Sequence, residues 1–220
     1  MTDSQQKRLA VIAAGLGQPS ATRLLADRLA EAAARALADK GFEVTTEVVE
    51  LRDIAKDVTN HLVTGFPSPR LEEVIERVTT ADGLIAVTPI FTTSYSGLFK
   101  SFIDILDPTA LTDQPVLLAA TGGSERHSLA IDYAMRPLFT YLHAAPLSTG
   151  VFAAASDWGN APTTPATRST SAVDGLRARI DRAGTELADA IATSTRDTSV
   201  RDPLALPEGF SAVGAYGETR

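Results

Sequence analysis

One α/β domain built on a doubly wound, five-stranded parallel sheet is the fold class that the 220-residue chain predicts. Three observations carry that expectation. Leu9 to Ala14, Leu84 to Val87 and Pro115 to Thr121 are apolar runs without the alternation of a half-solvated strand, the pattern of parallel strands covered on both faces. Segments with apolar residues at helical spacing lie between the strands. Finally, each of these three runs breaks into a loop rich in glycine or hydroxyl residues. In the strand order 2-1-3-4-5 the loops after strands one and three meet at a switch point, with the loop after strand four beside them.

The elements follow in order. Strand one ends in Gly15-Leu16-Gly17-Gln18-Pro19-Ser20, where Ser20 is the expected N-cap of a helix carrying Leu25, Leu29, Ala32 and Ala36 up to a stop at Gly41. A glycine loop that opens a helix aims free N–H groups and the positive dipole end at an anion. Arg23 fits that reading, since a cation in the first turn opposes the dipole unless an anion is present. Glu43 to Leu51 is strand two, and Arg52 to Pro67, with His61 inside it, reads as a long irregular connection. Ser68-Pro69 has the cap-then-proline form of a helix start, with Leu71, Val74, Ile75 and Val78 as the apolar face.

Strand three breaks at Thr88-Pro89 into a loop holding Thr92, Thr93, Ser94 and Ser96 and two rings, Phe91 and Tyr95. No charge, Cys or His lies in Ile90 to Leu98, so the loop suits a flat polar molecule rather than a metal. Leu98, Phe99, Phe102, Ile103 and Leu106 form the stripe of the next helix, on which Lys100 and Asp104 make an i,i+4 pair. Strand four ends at Thr121-Gly122-Gly123-Ser124, where glycine permits close backbone approach. Glu125 to His143 is expected to be helical with a break at Pro137, and Leu147 to Ala153 to form strand five. The last helix starts at Ser171, with Ser171 and Asp174 as a capping box, and buries Val173, Leu176, Ile180, Ala183, Leu187 and Ile191. The domain is thus expected over 1–193, with 194–220 as a flexible tail.

Composition removes several function classes. The chain has no Cys and three His without metal-site spacing, which argues against thiolate chemistry and Cys-based metal centres. A formal charge of −7 argues against a nucleic-acid partner. No apolar run reaches the roughly 18 residues of a membrane span. The short run after Lys7-Arg8 enters a glycine loop directly, so it reads as a strand and not a signal peptide, and a cytoplasmic location is expected.

Thr88-Pro89-Ile90-Phe91-Thr92, continued by Gly97-Leu98-Phe99-Lys100 and Ile103-Asp104, resembles the strand-loop-helix segment of the NADPH-dependent FMN reductases of the flavodoxin-like superfamily. The loop carrying Ser20 is similar to that family's phosphate loop, and Thr121-Gly122-Gly123 to its third flavin loop; the likeness covers Leu9 to Ala155. Arg126-His127-Ser128-Leu129 and Arg136-Pro137-Leu138-Phe139 resemble a subgroup that supplies reduced flavin to luciferase-like monooxygenases. The resemblance implies a flavodoxin-like fold and hydride transfer from NADPH or NADH to FMN, with no catalytic side chain because the chemistry belongs to the cofactors. It implies Gln18, Ser20, Thr22 and Arg23 at the phosphate, Pro89, Ile90, Phe91 and Thr92 at the ring, and Thr121, Gly122 and Gly123 at the ring's N1/C2 edge. His127 is implied either at the flavin or nicotinamide or at a helix end. A homodimer or homotetramer and a flavin-dependent monooxygenase as acceptor are the implied partners.

Two departures stand out. The family often has Ser-x-Arg where this chain has Gly15 and Gly17, removing one ligand and one charge that Gln18, Thr22 and Arg23 stand to replace. Ile90-Phe91-Thr92 replaces the common Glu-Tyr-Asn. The alternatives are a flavodoxin-like electron carrier, a quinone or azo reductase on the same fold, and a Rossmann-type dehydrogenase. For the last, Gly15-x-Gly17-x-x-Ser20 and Glu50 would form the fingerprint. Trp158 is expected in a core or interface, and His61 and His143 in structural roles.

Overall fold

The computed structural model describes residues 6–158 and 170–198, the side chains of 170–174 excepted. β1 (Gln6–Ala13) lies between β2 (Glu43–Glu50) and β3 (Gly83–Phe91), parallel to both, with Ala13 opposite Glu50 on one side and Val87 on the other. β5 (Pro115–Gly122) follows β3 in register, Pro89 opposite Thr121, and a short β4 (Ser94–Tyr95) folds back antiparallel on β3. The outermost position belongs to β6 (Ala145–Pro146) and β7 (Val151–Ala154), which both pair with β5. The sheet therefore has the flavodoxin-like order expected from sequence, with its fifth strand in two pieces. The break has a cause in side chains: Arg136 donates to the carbonyls of Leu147 at 2.6 Å and Ser148 at 3.2 Å, and Glu186 accepts from the Thr149 N–H at 3.3 Å. Those backbone groups are satisfied away from β5.

Alternate residues of the central strands feed two cores. Leu9, Val11, Ala13, Ile85 and Val87 meet α1 (Ala21–Asp39) and α6 (Thr170–Thr193) on one face. Ile12, Leu84 and Ala86 pack with the helices α2 (Ala55–Thr64), α3 (Pro69–Thr79), α4 (Gly97–Asp104) and α5 (Arg136–Tyr141) on the other. α1 ends as expected at Gly41, whose φ of 87° suits the left-handed stop, with Phe42 N–H donating to the Leu37 carbonyl. α1 and α6 approach closely at Gly184, where a Cβ would stand 2.8 Å from the Ala32 carbonyl carbon. Trp158 is half-buried on this side, with the Arg28 guanidinium 5.1 Å from its ring centre.

Two expectations need correction. The connection Arg52 to Pro67 is helical: a 3₁₀ turn (Leu51–Ile54) runs into α2, which ends at Gly65 with φ 78°. Glu125 to His143 is three pieces, a 3₁₀ turn (Glu125–His127), a wide π-type stretch (Ile131–Met135) and α5. Pro137 sits in the first turn of α5, where its missing N–H costs least. The Ser171 and Asp174 side chains lie outside the described residues, as do residues 199–220 of the expected tail. Residues 194–198 continue from α6, and Arg196 there donates to the carbonyls of Thr79, Ala81, Ala110 and Thr112 at the amino-terminal edge of the sheet.

Candidate flavin site

The carboxyl ends of β1, β3 and β5 stand side by side, so the three loops singled out by sequence rise together from one edge of the sheet. The first leaves β1 through buried Ala14, whose N–H donates to the Val87 carbonyl at 2.9 Å, and through Gly15. A Cβ on Gly15 would overlap the Ser20 hydroxyl and stand 3.1 Å from Thr22 Cβ, so this loop folds tightly only because residue 15 is glycine. Leu16, Gly17, Gln18 and Pro19 are exposed, and the Gln18-Pro19 peptide is cis.

Ser20 is the N-cap of α1: its Oγ accepts from the Arg23 N–H at 3.2 Å, and its carbonyl accepts from Leu24 at 3.0 Å. The N–H groups of Ala21 and Thr22 make no hydrogen bond among the described residues, so two donors remain at the positive end of the helix. Thr22 itself turns inward, 4 % exposed, and its hydroxyl shares a hydrogen bond of 2.8 Å with that of buried Thr121. That bond joins the first loop to the third. Arg23 reaches Asp27 at 2.8 Å and Glu50 at 2.7 Å. The bond to Asp27 raises its pKa above the usual arginine value, with partial burial opposing and Glu50 assisting.

The second loop is a hairpin. Ile90 pairs with Tyr95 and Phe91 with Ser94, leaving Thr92 (φ 48°) and Thr93 (φ 70°) at the tip. Two positive φ values define the turn that suits a two-residue hairpin, yet β-branched residues are rare there and carry strain. Thr88, which opens the motif read from sequence but was given no role there, holds the base: its fully buried hydroxyl donates to the Pro89 carbonyl at 3.0 Å and accepts from the Ser96 N–H at 3.1 Å. Ser96 caps α4 in turn, accepting from Phe99 at 3.2 Å. Pro89 is buried, Ile90 half-buried, and Phe91 and Thr92 are exposed. Tyr95 packs on Phe99, ring centres 5.9 Å apart.

The third loop begins at Thr121 and Gly122, where a Cβ on Gly122 would lie 2.7 Å from Phe152 Cζ. Gly123 has open space where its side chain would be. Ser124 caps the 3₁₀ turn that carries half-buried His127. The structure thus assembles Gln18, Ser20, Thr22, Arg23, Pro89 to Thr92 and Thr121 to Gly123 along one edge, with His127 on the turn that follows. Sequence reading missed Arg52. From the turn after β2 it donates to the Gly17 carbonyl at 3.0 Å and, with the Gln18 carboxamide oxygen turned toward it, to that oxygen at 2.7 and 3.1 Å. The contact spans 35 positions, and no local pattern announces it.

A cavity of about 700 Å³ lies at the opposite edge of the sheet, beside Pro115, Leu147 and Arg196, away from the three loops. Among the described residues no helix is long and apolar enough to cross a membrane, and no group of three or more His, Cys, Asp or Glu is placed to hold a metal ion. The loop edge offers N–H donors at a helix start, a flat-walled hairpin and a glycine strand end. These fit a phosphorylated planar cofactor.

Fold and loop arrangement define a flavodoxin-like α/β protein with its three loops gathered at the switch point, where ligands of such sheets sit. An oxidoreductase from Corynebacterium diphtheriae superposes with a TM-score of 0.79 at 41 % identity, covering 87 % of this chain and 100 % of that one. The apo form of the NADH:FMN oxidoreductase EmoB superposes with a TM-score of 0.66 at 26 % identity, covering 86 % and 91 %. In sequence the chain is 36 % identical over 153 residues to an FMN reductase (NADPH) of Pseudomonas aeruginosa, 70 % of this chain and 80 % of that one. It is 39 % identical over 149 residues to the NADH-dependent FMN reductase SfnE of Pseudomonas putida, 68 % and 78 % respectively. The profile of the NADPH-dependent FMN reductases matches residues 7–159, and the chain belongs to that family. The Rossmann alternative falls with the strand order and with Glu50, whose carboxylate is taken by Arg23 and Arg52.

Proposed function

We propose that this protein is an NAD(P)H:FMN oxidoreductase acting in the cytoplasm. The observation that carries the reading is the convergence of three loops on adjacent parallel strands, tied by the Thr22–Thr121 hydroxyl bond. Bound flavin supplies the acceptor for a hydride from the nicotinamide. The N–H groups of Ala21 and Thr22 and the Ser20 hydroxyl hold the phosphate, and Gln18 and Arg23 border it. Each charge-assisted bond contributes about 1.5–3 kcal/mol. Pro89, Ile90, Phe91 and Thr92 form the wall for the ring. Thr121, Gly122 and Gly123 would present backbone to its pyrimidine edge, where their N–H donors would stabilise negative charge. His127 borders the open side. No side chain in these loops has to move a proton.

We further propose that reduced FMN leaves for a flavin-dependent monooxygenase, in keeping with the resemblance around Arg126 to Leu129. Leu62, Val63 and Phe66, exposed together at the end of α2, support self-association as a homodimer or homotetramer, which light scattering on the eluting protein resolves. The test of function is nicotinamide oxidation by the purified protein, with NADPH and with NADH, with and without added FMN or FAD. Turnover that rises and saturates with FMN supports the reductase. Flavin that stays bound without nicotinamide turnover favours an electron carrier.

A further inference from the structure

The anion loop has little of its own to hold it. Four of its residues, Leu16 to Pro19, are exposed, and Arg23, the cation nearest in sequence, divides its guanidinium between Asp27 and Glu50. Arg52 supplies what the loop lacks. Its side chain is 19 % exposed, against 35 % for Arg23. One Nη donates to the Gly17 carbonyl at 3.0 Å, both reach the Gln18 carboxamide oxygen, and Nη2 lies 2.8 Å from Glu50 Oε2. Among the described residues Nε is buried without a hydrogen-bond partner, and Asp53 Oδ1 stands 3.6 Å from it, beyond bonding range. Glu50 is shared, its other oxygen accepting from Arg23 at 2.7 Å. A single carboxylate at the end of β2 therefore aligns two arginines, Arg23 from the helix that follows the anion loop and Arg52 against the loop itself.

Charge alone does not explain the arrangement, because Asp27, Glu50 and Asp53 offset both cations. Geometry does. A planar fork that takes the Gly17 carbonyl and the Gln18 side chain together fixes the loop in one conformation, with that carbonyl turned to Arg52. We propose that Arg52 is the positioning residue of the phosphate loop, a brace from the turn after β2 that sets the affinity for the phosphate of the flavin and not for its ring. The inference rests on the FMN reading above.

The test is titration of the full-length protein, freed of flavin, with FMN and with riboflavin, which has the same ring and no phosphate. Arg52→Ala should weaken FMN binding about ten- to a hundredfold while riboflavin affinity changes by less than about twofold. Arg52→Lys, which keeps the charge but not the fork, should recover only part of the loss and is read by the same split if the alanine variant does not fold. An FMN affinity that does not change, or an equal loss for both flavins, overturns the positioning role and leaves the reductase reading in place. Wild-type protein that binds FMN no more tightly than riboflavin overturns the phosphate-loop reading and this inference with it.

Discussion

The two ends of the crevice are built in opposite ways. Around the anion loop nearly every polar side chain has a partner within the protein: Ser20 caps α1, Thr22 holds Thr121, and Arg23 and Arg52 share Glu50. At the ring hairpin Thr88 anchors the base by hydrogen bonds and Tyr95 packs on Phe99, while the tip stands exposed with two threonines at positive φ. The first end is held by side-chain bonds that reach it from outside the loop, and in the proposed reading it would fix an anion at one point. The second is a wall of backbone and a strained turn, which in the same reading would constrain a flat molecule without gripping its atoms.

The predictions probe that contrast, the largest effect first. Gly15→Val places methyl groups where Ser20 and Thr22 already are. An overpacking cost of about 1–3 kcal/mol, borne by the loop, should reduce FMN affinity on the order of ten- to a hundredfold. Unchanged affinity in a fluorescence titration would break the view of a rigid anion end. Next, Thr22→Val or Thr121→Val alone leaves a buried hydroxyl without its partner and should cost about 1–3 kcal/mol in urea unfolding. The double variant should cost less than the sum, and strict additivity would mean that the bond does not couple the loops. Ser20→Ala removes the cap and should cost about 0.5–2 kcal/mol of stability. It should also weaken FMN binding while sparing turnover at saturating FMN; equal affinity for wild type and variant sinks the phosphate assignment. Smallest is Thr93→Gly, where relief of strain is partly offset by chain entropy, for a net gain of about 0.5 kcal/mol. A lower melting temperature would show that no strain resides at that turn.

What the sequence made legible is what local chemistry controls. Leu84 to Val87 reads as a covered parallel strand because all four are buried, and Ser20 and Gly41 read as the ends of α1 because capping is a short-range matter. From the alternation of strands and helices the meeting of three loops follows. Contacts across the fold were hidden. Arg52 looked like part of an irregular connection because Gly65-Phe66-Pro67 closes the segment with turn residues, and α2 is short and buries Val58 alone, leaving Leu62 and Val63 exposed. The break in strand five depends on Arg136 and Glu186, which reach it from two different helices. Thr22 had the residue type of a phosphate ligand, but its hydroxyl turns to Thr121, a partner 99 positions away.

Gly184 carries a consequence for chimeric proteins. It sits on a helix with no residue in the crevice, yet it lets α6 lie against the backbone of Ala32 and Ala33 on the helix whose first turn opens the anion loop. The two helices were shaped as a matched pair. A crossover that takes the first from one parent and the last from another, with a larger residue at 184, would push α1 and α6 apart. The mismatch would emerge as altered flavin affinity in the folded hybrid.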